Sequence, residues 1–166
     1  KEVYIQPASG DNGTALGAAY FAWNQILGHK RSFVMEHGYW GTEYPNANAS
    51  QVLEDDDDWM YERTELTDEG DVCRRTAKLI ADGNVVGWYQ GRMEWGARAL
   101  GNRSILADPR RADMRDLINT KIKFREKFRP FAPSILEEAL DEYFVDAAPD
   151  PFMQQVYPVR PDKRSV

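Results

Sequence analysis

Between Gly28 and Thr67 the chain loses its hydrophobic rhythm: residues 29 to 66 carry little periodicity, contain Pro45 and include the run Asp55-Asp56-Asp57-Asp58. A stretch of that length without an apolar stripe reads as a connection between two bodies, with the boundary placed near residue 50. Residues 1–50 then belong to one body and residues 51–166 to another. The four consecutive aspartates cannot all point at one cation, so they read as a solvated acidic linker and not as a metal site.

Before the connection, residues 3 to 6 suggest a short strand. Pro7-Ala8-Ser9-Gly10-Asp11-Asn12-Gly13 is dense in residues that tolerate unusual backbone angles and predicts a turn. From Thr14, the apolar residues Ala15, Leu16, Ala18, Ala19, Trp23, Ile26 and Leu27 keep a helical period, and Gly28 is placed to end it. After the connection, Thr67 or Asp68 caps a helix with Val72, Thr76, Leu79 and Ile80 on its buried side and Gly83 as its stop. Residues 84–90 predict a strand. Asp113 suits the cap of a helix bearing Met114, Leu117 and Ile118. Ser134 and Glu137 have capping-box spacing ahead of Ile135, Leu136, Leu140 and Phe144. Phe152 to Val159 looks like an edge strand interrupted by Pro158.

Charge is spread unevenly along a chain whose formal net charge is −6. Residues 92–129 hold 11 Lys and Arg against 5 Asp and Glu, whereas residues 36–71 hold 12 acids against Arg63 alone. The asymmetry favours a local anionic ligand over a generally basic surface for nucleic acid. No apolar run approaches the roughly 20 residues that span a bilayer. The single cysteine, Cys73, excludes an internal disulfide and reads as a small hydrophobe on its helix, consistent with a reducing compartment. His29 and His37 lack matching carboxylate spacing and are expected at the surface.

The chemistry-bearing stretch is Gly91 to Arg110, GRMEWGARALGNRSILADPR, in which Arg92, Arg98, Arg103 and Arg110 lie among glycines and small polar residues. Glycine allows close backbone approach, and each guanidinium offers a planar fork of donors suited to phosphate or carboxylate. Downstream, Lys121, Lys123, Arg125, Lys127 and Arg129 alternate. On an extended strand they would share one face and repel one another unless a polyanion lay across them. On a helix they would scatter. The alternative is a solvated cationic edge. The Gly10-Asp11-Asn12-Gly13 turn is able to present a carboxylate to a metal or amides to a phosphate, although Asp and Asn at such turns commonly serve the local backbone.

Three segments in order, QPASGDNGTALGAA from Gln6, the Gly91 to Arg110 run, and KIKFREKFRPFAP from Lys121, closely resemble the O-carbamoyltransferases of nodulation-factor and antibiotic biosynthesis. The resemblance implies an α/β (α+β) architecture. In it the end of an actin-like ATPase domain, similar to the tRNA-modifying protein Kae1, joins part of a YrdC-like mixed α/β domain. It also implies that the chain is a fragment, inactive when isolated. The implied parent is cytoplasmic, with a homodimer allowed, and converts carbamoyl phosphate and Mg-bound ATP to carbamoyl-adenylate. It then moves the carbamoyl group to a hydroxyl acceptor, an oligosaccharide or antibiotic, at a divalent metal, iron by resemblance. A YrdC-like surface that binds RNA without catalysis is the competing reading.

By the same resemblance, Asp11 ligates that metal, its histidine partners lying upstream of Lys1. Arg98, Asn102, Arg103, Ser104, Lys121, Arg125 and Arg129 hold carbamoyl phosphate and the ATP phosphates, with Arg98, Arg103 and Lys121 acting in catalysis. Ala97 stands where the family usually has proline, which loosens the turn beside Arg98. Trp88, Trp95, Phe128 and Phe131 are candidates for walls that shield labile carbamoyl species from water.

Overall fold

The computed structural model describes residues 5–54, 62 and 64–164. It is a mixed helical structure with one small antiparallel sheet, compatible with an α+β class. The aspartate run 55–58 lies outside the described residues, as does part of the strand expected over 3–6; Ile5 and Gln6 are irregular.

Helix α1 (Asp11–Phe21) starts three residues earlier than the apolar period predicts. The turn itself supplies the first helical residues, with the Thr14 amide donating to the Gly10 carbonyl at 3.1 Å. It runs on into a single wide turn, Ala22–Ile26, closed by the Leu27 amide on the Ala22 carbonyl at 2.9 Å, and ends at Gly28 with φ +71°. Its apolar residues do not find a core: Phe21, Trp23, Ile26 and Leu27 are all more than half exposed.

The connection is more ordered than its composition predicts. Helix α2 (Asn46–Glu54) occupies part of it, and residues 38–43 run alongside residues 92–95. There the Gly41 amide donates to the Met93 carbonyl at 2.9 Å, the Met93 amide to Thr42 at 3.0 Å and the Trp95 amide to Gly38 at 2.6 Å. These bonds are backbone to backbone, which is why no side-chain pattern announced them.

Helix α3 (Glu69–Ala81) follows the prediction closely. The Asp68 carboxylate accepts from the Gly70 amide at 2.9 Å as its cap, and Gly83, at φ +93°, ends it. Val72, Thr76 and Ile80 are half-buried, but Leu79 and Cys73 are exposed, so the expectation of Cys73 as a packed hydrophobe is corrected. Strand β1 (Val86–Tyr89) pairs antiparallel with β2 (Arg103–Leu106) in the register Val86 to Leu106 through Tyr89 to Arg103, so the arginine-rich segment between them forms a closed loop.

Helix α4 (Met114–Leu117) passes into a wide turn, Ile118–Ile122. Met114 and Ile118 are buried there and, with Ala8, make up the buried apolar residues of the described chain. Asp113 precedes α4 without a capping bond, because its carboxylate is taken by Arg111 at 2.8 Å. The capping box at Ser134 is also corrected. A short 3-10 turn, Glu137–Ala139, leads into α5 (Leu140–Tyr143), and the residue before it is Leu136, leaving Ser134 too far back to reach the first amides. Residues 152–159 form no strand beyond one bridge between Phe144 and Val159. The Asp150 carboxylate bends this segment by accepting the amides of Phe152, Gln154 and Gln155.

The accessible area is 13550 Å². A compact chain of this mass exposes roughly 8,400 Å². The apolar faces described above therefore lack a counter-surface among the described residues. No helix among the described residues is long and apolar enough to cross a membrane.

Candidate functional site

The loop from β1 to β2 is built around two buried or half-buried side chains. Asn102 is 9% exposed; its amide group donates to the Arg92 carbonyl at 2.7 Å and accepts from Gln90 Nε2 at 3.1 Å, closing the base of the loop. Glu94 Oε1 accepts three backbone amides, from Leu100 at 2.8 Å, Asn102 at 2.9 Å and Arg103 at 3.2 Å. Burial pulls the Glu94 carboxyl upward. The amide bonds outweigh it and hold the group below its ordinary 4.5. The Tyr39 hydroxyl donates to the Leu100 carbonyl at 2.7 Å, and the Ser104 hydroxyl accepts from the Gly101 amide at 3.1 Å.

The arginines of the run divide by what they touch. Arg103 donates to the carbonyls of Gln90 at 2.6 Å, Asn102 at 2.9 Å and Gly91 at 3.0 Å, and its guanidinium carbon lies 3.5 Å from the centre of the Tyr89 ring. Arg110 pairs with Asp108, a carboxylate only 6% exposed, at 2.8 Å. The direct Arg110 hydrogen bonds hold Asp108 at about 2, well below its ordinary 3.8. Arg92 donates to the Gly41 carbonyl at 3.1 Å. Arg98 makes no hydrogen bond or ion pair with any described residue and is exposed.

Arg98 lines a concavity of about 400 Å³ whose walls are residues 7–10 and 12, 96–98 and 152–154, with Ile5 at the edge. The sequence kept the Gly10 turn and the arginine run apart; the structure puts them on one cavity. Gly96 makes the approach feasible. Its φ is +108°, and a Cβ there would sit 3.1 Å from the Ala8 methyl. Ala97 lies on the same wall. Trp95 faces a second, apolar cavity of about 520 Å³ with Leu16, Tyr20, Phe33, Met35 and Trp40.

Residues 121–129 are neither a strand nor a regular helix, so the extended alternative, with its one-faced row of cations, is not the one adopted. The wide turn ends at Ile122, Phe124 adopts φ +49°, and the chain folds back over Asn119. Asn119 is fully buried: its Nδ2 donates to the carbonyls of Arg129 at 3.0 Å and Lys127 at 3.3 Å, and its Oδ1 accepts from Arg125 Nε at 2.7 Å. Arg125 also lies over Phe131, 4.7 Å from the ring centre, while Arg129 pairs with Glu126 at 2.8 Å. Lys121, Lys123 and Lys127 project without a partner among the described residues. No hydrogen bond or ion pair joins this loop to residues 92–104. Phe128 is 77% exposed, and Trp88 is half-buried on β1.

Asp11 is exposed at the start of α1, and no group of three His, Cys, Asp or Glu side chains is assembled among the described residues. One carboxylate does not make a metal site, so these residues alone do not fit the metal that the resemblance implies. His29 and His37 are exposed, as expected, and stack on Trp23 and on Tyr39 and Trp40.

The concavity thus sets an unpaired guanidinium, that of Arg98, beside the glycine-rich turn at residues 7–10. Residues 77–166 match the family model described as Carbamoyltransferase C-terminus, and the chain belongs to that family. It is 44% identical over 171 residues to the nodulation protein NolNO of Sinorhizobium fredii, covering 100% of this chain and 24% of that protein. It is 41% identical over 170 residues to the nodulation protein NolO of Bradyrhizobium diazoefficiens, covering 99% and 30%. It is 37% identical over 151 residues to the 3'-hydroxymethylcephem-O-carbamoyltransferase of Amycolatopsis lactamdurans, covering 91% and 26%. The chain thus spans between 24% and 30% of the length of these relatives.

Proposed function

We propose that this chain is the part of an O-carbamoyltransferase that grips the carbamoyl donor, with ATP as co-substrate and carbamoyl-adenylate as the product of the first step. Arg98 carries the reading: its guanidinium is uncommitted and lines a cavity large enough for a phosphate group. Water first cleaves carbamoyl phosphate to carbamate and inorganic phosphate; a carbamate oxygen then attacks the α-phosphorus of ATP, the bond from that phosphorus to the bridging oxygen breaks and pyrophosphate leaves. Two anions must be brought together, so the site's task is charge neutralisation and alignment rather than covalent catalysis. Arg98 supplies the fork of donors for the carbamoyl donor, and Lys121, Lys123 and Lys127 supply unpaired charge for the triphosphate. Arg103, Asn102, Ser104 and Arg125 shape the loops that present these charges.

Residues 1–50 close a Kae1-like domain and the remainder opens a YrdC-like one, in a cytoplasmic parent whose other segments cover the exposed face of α1. Asp11 would give that parent one of several ligands to a divalent metal, iron, the others coming from its other segments. The acceptor is a hydroxyl of an oligosaccharide or related natural product.

Pyrophosphate release from ATP and carbamoyl phosphate by the full-length protein tests this. Arg98→Ala should slow it by roughly 10- to 150-fold, the worth of one charged hydrogen bond of about 1.5–3 kcal/mol. Unchanged turnover in Arg98→Ala would remove the donor-binding role.

A further inference from the structure

We propose that Glu94 is a positioning residue, an internal anion whose oxygen gathers the backbone amides of Leu100, Asn102 and Arg103 so that the segment between them projects Arg98 into the donor cavity. The proposal rests on the phosphate-binding reading of Arg98 and adds how that side chain is aimed.

Three features of the loop carry it. One carboxylate oxygen accepts amides four, six and seven residues beyond Trp95's neighbour Gly96, at 2.8, 2.9 and 3.2 Å, which pins the descending limb of the loop to its ascending limb. Arg98 lies inside the bracket formed by Glu94 and Leu100, and its guanidinium makes no hydrogen bond or ion pair with a described residue, so the loop's shape directs it. The Tyr39 hydroxyl, 2.7 Å from the Leu100 carbonyl, fixes the next peptide, so Leu100 is held through both its amide and its carbonyl. Converging amides of this kind form a ready anion site. Glu94 fills it from within, so the external anion is left to the Arg98 side chain.

A role that only supports the fold and a role in aiming Arg98 differ in one readout. If Glu94 acts through Arg98, its removal has nothing further to remove once Arg98 is gone. Affinity for carbamoyl phosphate, measured by calorimetry on the full-length protein without ATP, is therefore compared for Glu94→Ala, Arg98→Ala and the double variant, with thermal midpoints recorded for each. Glu94→Gln keeps an oxygen for the amides and serves as the conservative partner. The expected result is a loss in Arg98→Ala of roughly 10-fold or more, a comparable or smaller loss in Glu94→Ala, no additional loss in the double variant and partial recovery in Glu94→Gln. Additive losses, or wild-type affinity in Glu94→Ala beside a weakened Arg98→Ala, would overturn the positioning role while leaving donor binding by Arg98 intact. Wild-type affinity in Arg98→Ala would overturn both. If Glu94→Ala does not fold, the Glu94→Gln and Arg98→Ala pair gives the same cycle: a Glu94→Gln loss that persists undiminished in the Arg98→Ala background counts against the proposal.

Discussion

Asn119 is the side chain on which the shape of the cationic loop depends. Replacing it with alanine removes two bonds to the carbonyls of Lys127 and Arg129 and one from Arg125 Nε, at 3.3, 3.0 and 2.7 Å. Two neutral bonds are worth about 1 kcal/mol each and the charged one about 1.5–3. The three sum to roughly 4 kcal/mol if nothing replaces them. Arg129 and Lys127 are exposed, so their carbonyls regain water when the loop opens, and about 2 kcal/mol is the expected net loss. That is about a 30-fold rise in the open population of the loop. Lys121, Lys123 and Lys127 make the loop a natural trypsin target, so the initial rate of cleavage within 121–129 at low protease reads that population directly. Asn119→Asp is the sharper variant. It keeps the oxygen that meets Arg125 but sets a carboxylate oxygen against two carbonyls, and it should open the loop about as much as alanine does. A cleavage rate within twofold of the parent for both variants would show that Asn119 does not hold the fold-back.

Helix α1 offers a pair of opposite signs. A Cβ at Gly13 would lie 2.1 Å from the Ala8 carbonyl oxygen, so Gly13→Ala should destabilise by about 1–3 kcal/mol, whereas Gly17 has nothing within 4 Å and Gly17→Ala should stabilise by up to about 1 kcal/mol. Thermal midpoints moving in the same direction would refute the placement of the turn. Asp68→Ala should cost about 0.5–2 kcal/mol through the lost cap on Gly70, seen as faster amide exchange in the first turn of α3 and refuted by unchanged exchange there. Asp108 has its carboxyl depressed to about 2, so the stability it contributes is present above its ordinary 3.8 and disappears as the pH falls through about 2. A carbon-detected titration of Asp108 with a midpoint near 4 would show that the Arg110 pair is absent.

Local chemistry made α1, α3 and β1 legible. A cap at Asp68, a stop at Gly83 and the apolar period of α1 each act within a turn or two, and those elements formed. What the sequence could not show is contact between backbones. The pairing of residues 38–43 with 92–95 involves amides and carbonyls that every residue carries, so a segment without periodicity still found a partner. The alternation from Lys121 to Arg129 suggested a strand face because period two is the mark of one. A single buried amide, Asn119, overrode it by offering the backbone three bonds. Of the candidate site, the location of the run was readable but the roles within it were not, since Arg98 and Arg103 are the same residue in similar company. One signal was there to be found: Glu94 is the lone acid between Arg92 and Arg103, and an acid amid glycines and arginines has either a guanidinium or a set of amides to satisfy.

The positive balance of residues 92–129 thus resolves into charges already answered and charges still open. Arg110, Arg111, Arg115 and Arg129 are matched by Asp108, Asp113, Asp116 and Glu126, and Arg92, Arg103 and Arg125 are spent on carbonyl oxygens and rings. Arg98, Lys121, Lys123 and Lys127 keep no protein partner among the described residues. The three lysines stand on an exposed loop, where water and salt screen a charge and its attraction for an anion is weak. Arg98 is exposed as well, but it lines a concavity shared with the Gly10 turn, where an anion meets more than one part of the chain. The four are equal in formal charge and unequal in surroundings. That inequality is why we propose donor binding for Arg98 and leave to the lysines the more forgiving task of meeting a triphosphate whose own charge is large.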